Sequence, residues 1–234
     1  MIKGLFKGLS SRKRGIGRDP LDDYIARLCE RIQSREQLKT PLEDATFCII
    51  DLETTGLDLS QDVIINLAAV KIKKHKITKI FDAYTRPPFP VPVASIQWHG
   101  ITDDMLRGKP SVAEILPEFL SFIGDSVIIG HHINFDLRML SKHLQESYDT
   151  NLNNALWLDT MLLHRLVVEN NTSTELDELL NIYCIDCDQR HRALGDSIAT
   201  AKLFLRILKE LQSLYKTVDD LYRAQQDLSR KENL

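Results

Sequence analysis

Cysteine is scarce in this chain: Cys29, Cys48, Cys184 and Cys187 in 234 residues. That excludes a disulfide scaffold and suits a reduced, cytoplasmic setting. No apolar run approaches the roughly 18 residues of a membrane span, and no signal-peptide core is present, so a soluble, non-secreted protein with no membrane partner is expected. Neither Gly-x4-Gly-Lys-Ser/Thr nor Gly-x-Ser-x-Gly occurs, which removes support for phosphate-loop nucleotide hydrolysis and for serine-hydrolase chemistry. The basic excess of a nonspecific duplex binder is missing too, since the formal net charge is −3. An end-binding nuclease survives that test, because it touches few phosphates and its clustered acids count against the sum. Apolar residues make up 43% of the chain, enough for a well-buried core.

What is present begins at residues 46–57. The apolar run Phe47-Cys48-Ile49-Ile50 leads to Asp51 and Glu53, followed by Thr54-Thr55-Gly56. Strand residues two apart share a face, so both carboxylates leave the end of a buried strand side by side. Two acids that close repel, and one tends to keep its proton unless a hard divalent cation relieves the conflict. The bland alternative is an acidic turn after a core strand.

A second apolar run, Val127-Ile128-Ile129-Gly130, leads through His131, His132 and Phe135 to Asp136, at the start of a helical pattern (Leu137, Met139, Leu140, Leu144). Taken alone, Asp136 could simply complement the helix dipole. Later, His191 and Asp196 open another apolar helix (Ile198, Ala201, Leu203, Phe204, Leu208). Cys184-x2-Cys187 with His191 suggests zinc, but a structural site needs four ligands and a fourth is missing.

Asp51-x-Glu53, then Asp136 after Phe135, then His191-x4-Asp196 resembles the three motifs of the DEDDh 3′–5′ exonucleases. This family includes the proofreading epsilon subunit of the bacterial replicative polymerase, ribonuclease T and oligoribonuclease. Trp98-His99-Gly100-Ile101 resembles the His-Gly-Ile segment of the epsilon-like branch. Leu158-Asp159-Thr160 and Ser173-Thr174-Glu175-Leu176-Asp177 resemble stretches between the second and third motifs. The likeness covers about residues 45–210. There are two departures: His132 stands where the second motif has Asn, and Asn66-Leu67-Ala68-Ala69 replaces the commoner Glu-Ile-Gly-Ala. Arg192 takes the place of the tyrosine that marks the sister subclass.

The resemblance implies an α/β, ribonuclease-H-like fold with a mixed central sheet flanked by helices, and an enzyme that hydrolyses phosphodiesters with two divalent cations, Mg2+ or Mn2+. Asp51, Glu53, Asp136 and Asp196 would hold the ions, and His191 would be the general base. Thr54, Trp98, His99 and Phe135 would bind the 3′-terminal nucleotide, and nucleoside 5′-monophosphates would leave one at a time. Nucleic acid 3′ ends are the implied partner, with single-stranded DNA favoured over RNA in proofreading or repair. An RNA exonuclease of the ribonuclease T or oligoribonuclease kind is one alternative. A catalytically silent module docking on a polymerase is another.

Around that core, residues 1–44 read as an extension. Six Lys or Arg and no acid occupy 1–18, followed by an amphipathic stripe of Leu21, Ile25, Leu28 and Ile32. Strands are expected near 46–51, 63–73 and 76–85, and helices near 112–123, 135–147, 159–169, 174–183 and 192–211. The exonuclease domain is placed at 45–211. Residues 212–234 form a C-terminal helix carrying Leu214, Val218, Leu221 and Leu228, available with the other terminal helix for a polymerase or other protein partner. Gln225-Gln226-Asp227-Leu228 has the glutamine of a clamp-binding segment but lacks its hydrophobic anchor.

Overall fold

The computed structural model describes residues 19–168 and 174–232; the basic segment 1–18 and Ser173 lie outside the described residues. Five strands, β1 (Thr46–Thr54), β2 (Ile64–Lys73), β3 (Lys76–Tyr84), β4 (Val127–Gly130) and β5 (Trp157–Asp159), form one sheet in the order β3-β2-β1-β4-β5. β1–β2 and β2–β3 are antiparallel hairpin partners, while β4 and β5 add in parallel. Parallel additions need crossovers, and helices supply them. Nine helices are described: α1 (Pro20–Ile32), α2 (Val93–His99), α3 (Asp103–Leu106), α4 (Val112–Ile123), α5 (Asn134–Tyr148), α6 (Thr160–Val167), α7 (Leu176–Ile182), α8 (Ala193–Leu211) and α9 (Val218–Glu232).

Alternation along β1 sorts the core into two layers. Cys48, Ile50 and Leu52 point into one cluster with Ile25, Leu28, Phe119, Leu120, Leu140 and Leu144, so α1, α4 and α5 cover that face. Phe47 and Ile49 point the other way, toward Leu163, Leu203, Phe204, Ile207 and Leu221 of α6, α8 and α9. The Phe47 and Phe204 rings meet edge-on with centroids 4.8 Å apart. By the same parity, Asp51 and Glu53 continue the Phe47–Ile49 row and emerge on the face that α8 covers. This single alternation decides which helix can deliver a third acid. The amphipathic stripe of α1 packs on this core, with Ile25 fully buried.

Four local details differ from the sequence reading. β1 continues through both acids to Thr54, because pairing with β2 runs through Glu53↔Asn66 and, after a register shift, to Thr54↔Ile64. The short strand β5 went unread, since three residues carry no usable period. Asp159 consequently ends that strand and caps α6 through Met161 N (2.9 Å), rather than starting a helix. The segment after β3, where no helix is expected, holds the short helices α2 and α3, with Gly100 in the left-handed region ending α2.

Candidate active site

Asp51 and Glu53 project from the end of β1, and Asp196 comes from the first turn of α8, which lies across the same face. One carboxylate oxygen from each lies within 4.8 Å of the others. Asp136, in the first turn of α5 beyond the end of β4, is buried, and its carboxylate accepts the backbone N–H of Leu52 between the two β1 acids. The expected acids are thus brought together by two strand ends and two helix starts, where open α/β sheets place their ligands.

Burial dominates the electrostatics. It pushes Asp136 up to about 8 and Glu53 up to about 7, the latter with help from the Asp196 charge. Asp51 lies well above the carboxylate range, through burial first and then repulsion from Asp136, Glu53 and Asp196. Asp196 is also raised by burial, with Arg190 opposing. Four carboxyls that resist ionising together are what a hard divalent cation with oxygen ligands relieves, so this donor set fits such a cation.

Sequence reasoning missed Arg190. Its Nη1 pairs with Asp196 Oδ1 at 2.5 Å and its Nε with Asp177 Oδ1 at 2.5 Å, making it a cation at the lip of the acid cluster. The available signal was an arginine directly before His191, in a site otherwise rich in acids. His191 itself is exposed and adopts a left-handed backbone (φ 58), which directs its N–H onto Asp196 Oδ2 at 3.1 Å. A non-glycine residue held there costs roughly 1–3 kcal/mol and marks a constrained position. Behind it, Gly195 lies so close to the Gln189 carbonyl that no side chain fits, which sets how this loop enters α8.

The four candidate nucleotide-contacting residues occupy different environments. Trp98 is 74% exposed, and its ring centroid is 6.0 Å from that of His191. His99 is buried, with Nδ1 accepting Ile101 N at 2.9 Å. Thr54 is buried, and its hydroxyl donates to Gly56 O at 2.6 Å. Phe135 is half-buried against the α1/α4/α5 core. The two motif departures have visible consequences. Asn66 sits opposite Glu53 in the ladder and ties β2 to β3 through Asp82 Oδ1 (2.8 Å) and Ala83 O (3.1 Å). His132 takes a left-handed backbone (φ 55), and its Nε2 lies 3.1 Å from Thr174 O. Cys184, Cys187 and His191 form no ligand cluster among the described residues.

The raised acids predict a pH dependence. A carboxyl whose folded pKa is raised keeps a proton that the unfolded chain has lost, so stability falls as pH rises toward the folded value. His131 and His143, pushed down to about 4 by burial, act oppositely, but only up to the ordinary histidine value of 6.5. Above that the acids act alone: most of the Glu53 penalty has accrued by its value of about 7, and Asp136, raised to about 8, carries the fall further. In chelator, the melting temperature should fall between about pH 6.5 and about pH 8.5, and Mn2+ should remove the fall. Scanning calorimetry at several pH values checks this; a flat or rising metal-free profile would contradict the buried-acid account.

Residues 48–204 match the family model described as Exonuclease. The DNA polymerase III subunit epsilon of Aquifex aeolicus is 35% identical over 179 residues, covering 76% of this chain and 88% of that protein. The PolC-type DNA polymerase III of Bacillus subtilis is 36% identical over 169 residues, and the chain spans only 12% of its length. Among solved structures, exonuclease X in complex with 5′-overhanging duplex DNA superposes with a TM-score of 0.62 at 25% identity, covering 76% of this chain and 99% of that one. The nuclease domain of 3′hExo, a DEDDh family member, shares the fold with a TM-score of 0.65 at 19% identity, covering 76% and 98%. Among the described residues, no helix is long and apolar enough to cross a membrane. With its acids gathered at two strand ends and this family match across two thirds of its length, the chain belongs to the exonuclease family and is a 3′–5′ exonuclease.

Proposed function

We propose that the chain removes nucleotides from single-stranded DNA 3′ ends, releasing nucleoside 5′-monophosphates in proofreading or repair. The observation that carries this reading is the convergence of Asp51, Glu53 and Asp196 within 4.8 Å, with Asp136 beside them. Two divalent cations bound there would neutralise charge on the phosphoryl group and make water a competent nucleophile near neutral pH. Asp51 would face both ions, Glu53 and Asp196 would complete the first, and Asp136 would support the second. His191, exposed at the rim, takes the proton from the attacking water as general base.

Trp98 offers an open aromatic face beside His191 for the terminal base, a stacking contact worth roughly 1–3 kcal/mol. Phe135 would flank that base, and Thr54 and His99 would hold the terminal sugar end from the floor of the site. DNA is favoured because a relative covered over 88% of its length is named for a DNA polymerase and the 25%-identical structure holds DNA. The same relatives motivate a polymerase as protein partner, through the terminal helices α1 and α9 that flank an exonuclease unit of residues 45–211.

A time course on matched 5′-labelled single-stranded DNA and RNA oligomers, with Mg2+, Mn2+ or chelator, tests the reading. A ladder shortening from the 3′ end of DNA, absent in chelator, is expected. Preference for RNA would reassign the substrate, and no cleavage of either would overturn the catalytic assignment.

A further inference from the structure

α9 lies beyond the part of the chain that the family model matches. It is nevertheless tied into the fold at its start: Val218 N donates to Thr40 O (3.0 Å), and Leu42 N donates to Lys216 O (2.9 Å). On its buried side Val218 and Leu221 are apolar, but the next position inward is Gln225, fully buried. A buried amide needs partners, and Gln225 finds both on β5. Its Oε1 accepts Asp159 N at 2.7 Å, and its Nε2 faces Trp157 O at 3.3 Å.

β5 is an edge strand, paired only with β4. In a parallel ladder one peptide donates to residue i−1 and accepts from residue i+1 of its neighbour. Taking Leu158 as residue i, the Gln225 carboxamide makes both bonds and stands where a sixth strand would pair.

The strand end held in this way carries a second clasp. Asp159 Oδ2 accepts Ile133 N at 3.0 Å while Oδ1 caps α6. Ile133 caps α5, three residues before Asp136. We propose that Gln225 is a positioning residue for Asp136, acting across β5 through Asp159 and the Ile133 backbone. This rests on the reading of Asp136 as a cation-holding acid. The loop has another tether, His131 Nδ1 to Thr160 Oγ1 at 2.9 Å, so the effect of losing Gln225 is partial.

The test uses the full chain. Gln225→Met keeps the volume and removes both bonds. Its Mn2+ affinity, read by titration calorimetry, should fall by about tenfold, the lower end of what lost outer-sphere support costs, while KM for the oligomer stays unchanged. Leu221→Ala, on the same helix, should lower the melting temperature without moving Mn2+ affinity. Unchanged Mn2+ affinity in Gln225→Met overturns the proposal, as does an equal loss in Leu221→Ala. Should the methionine variant not fold, Gln225→Glu, which loses the donor to Trp157 O, is read the same way: weaker Mn2+ binding supports the relay and unchanged binding overturns it. If the parent chain cleaves neither DNA nor RNA, the exonuclease reading fails, yet the calorimetric comparison still decides the role of Gln225.

Discussion

Asp51→Ala is expected to abolish hydrolysis and, in chelator at about pH 8, to raise the melting temperature. Both effects come from one cause. Asp51 is half-buried beside Asp136, Glu53 and Asp196, and desolvation first, then those charges, raise its pKa. A carboxyl placed there is costly for folding and useful only when a cation is bound. Removing it eliminates an acid shared between the proposed ions, and losing about 4 kcal/mol of transition-state stabilisation lowers the rate by about a thousandfold. The same change relieves repulsion in the metal-free protein. A gel time course and a thermal melt on the same preparation check both signs. Undiminished turnover would remove Asp51 from the mechanism, and a large fall in metal-free stability would contradict the electrostatic account.

The second large effect concerns His191. Replacing it should lower the rate by about 10²–10⁴-fold, the usual contribution of a positioned general base. Mn2+ affinity should change little, since the imidazole lies outside the carboxylate cluster. Asparagine tests this better than alanine. The position has a left-handed backbone, which asparagine tolerates, and the His191 N–H must still reach Asp196. His191→Asn therefore removes the base and keeps the turn, whereas His191→Ala also disturbs the backbone that orients Asp196. The single-turnover rate at saturating Mn2+ is the sharper readout: it should fall in His191→Asn while Mn2+ affinity holds. An undiminished rate would assign the base elsewhere.

Both predictions concern residues that could be found without coordinates, and the reason is local. The acids of β1 are legible because strand period two carries them out of an apolar run onto one face. Asp136 and Asp196 are legible because each opens a strongly periodic apolar helix, and His191 because it lies five residues from Asp196. Each signal sits within a dozen residues, where chain geometry alone sets relative direction.

The sequence by itself determined the acids, the histidine and the order of the longer strands and helices around them, β5, α2 and α3 excepted. Only tertiary structure decided what those residues meet. Arg190 lies only six residues before Asp196 in the chain, but its pairing with Asp177 depends on how the loop between α7 and α8 folds back. Trp98 meets His191 from 93 residues away because α2 packs at the mouth of the site. Gln225 shows the difference most plainly. In sequence it sits in a polar run that invites a solvent-facing role, although it also falls four residues after Leu221 on the apolar stripe. In the structure it is fully buried and completes a strand 66 residues earlier. Periodicity can place a glutamine on an inward face, but its partner is an unpaired strand edge that exists only once the sheet has formed.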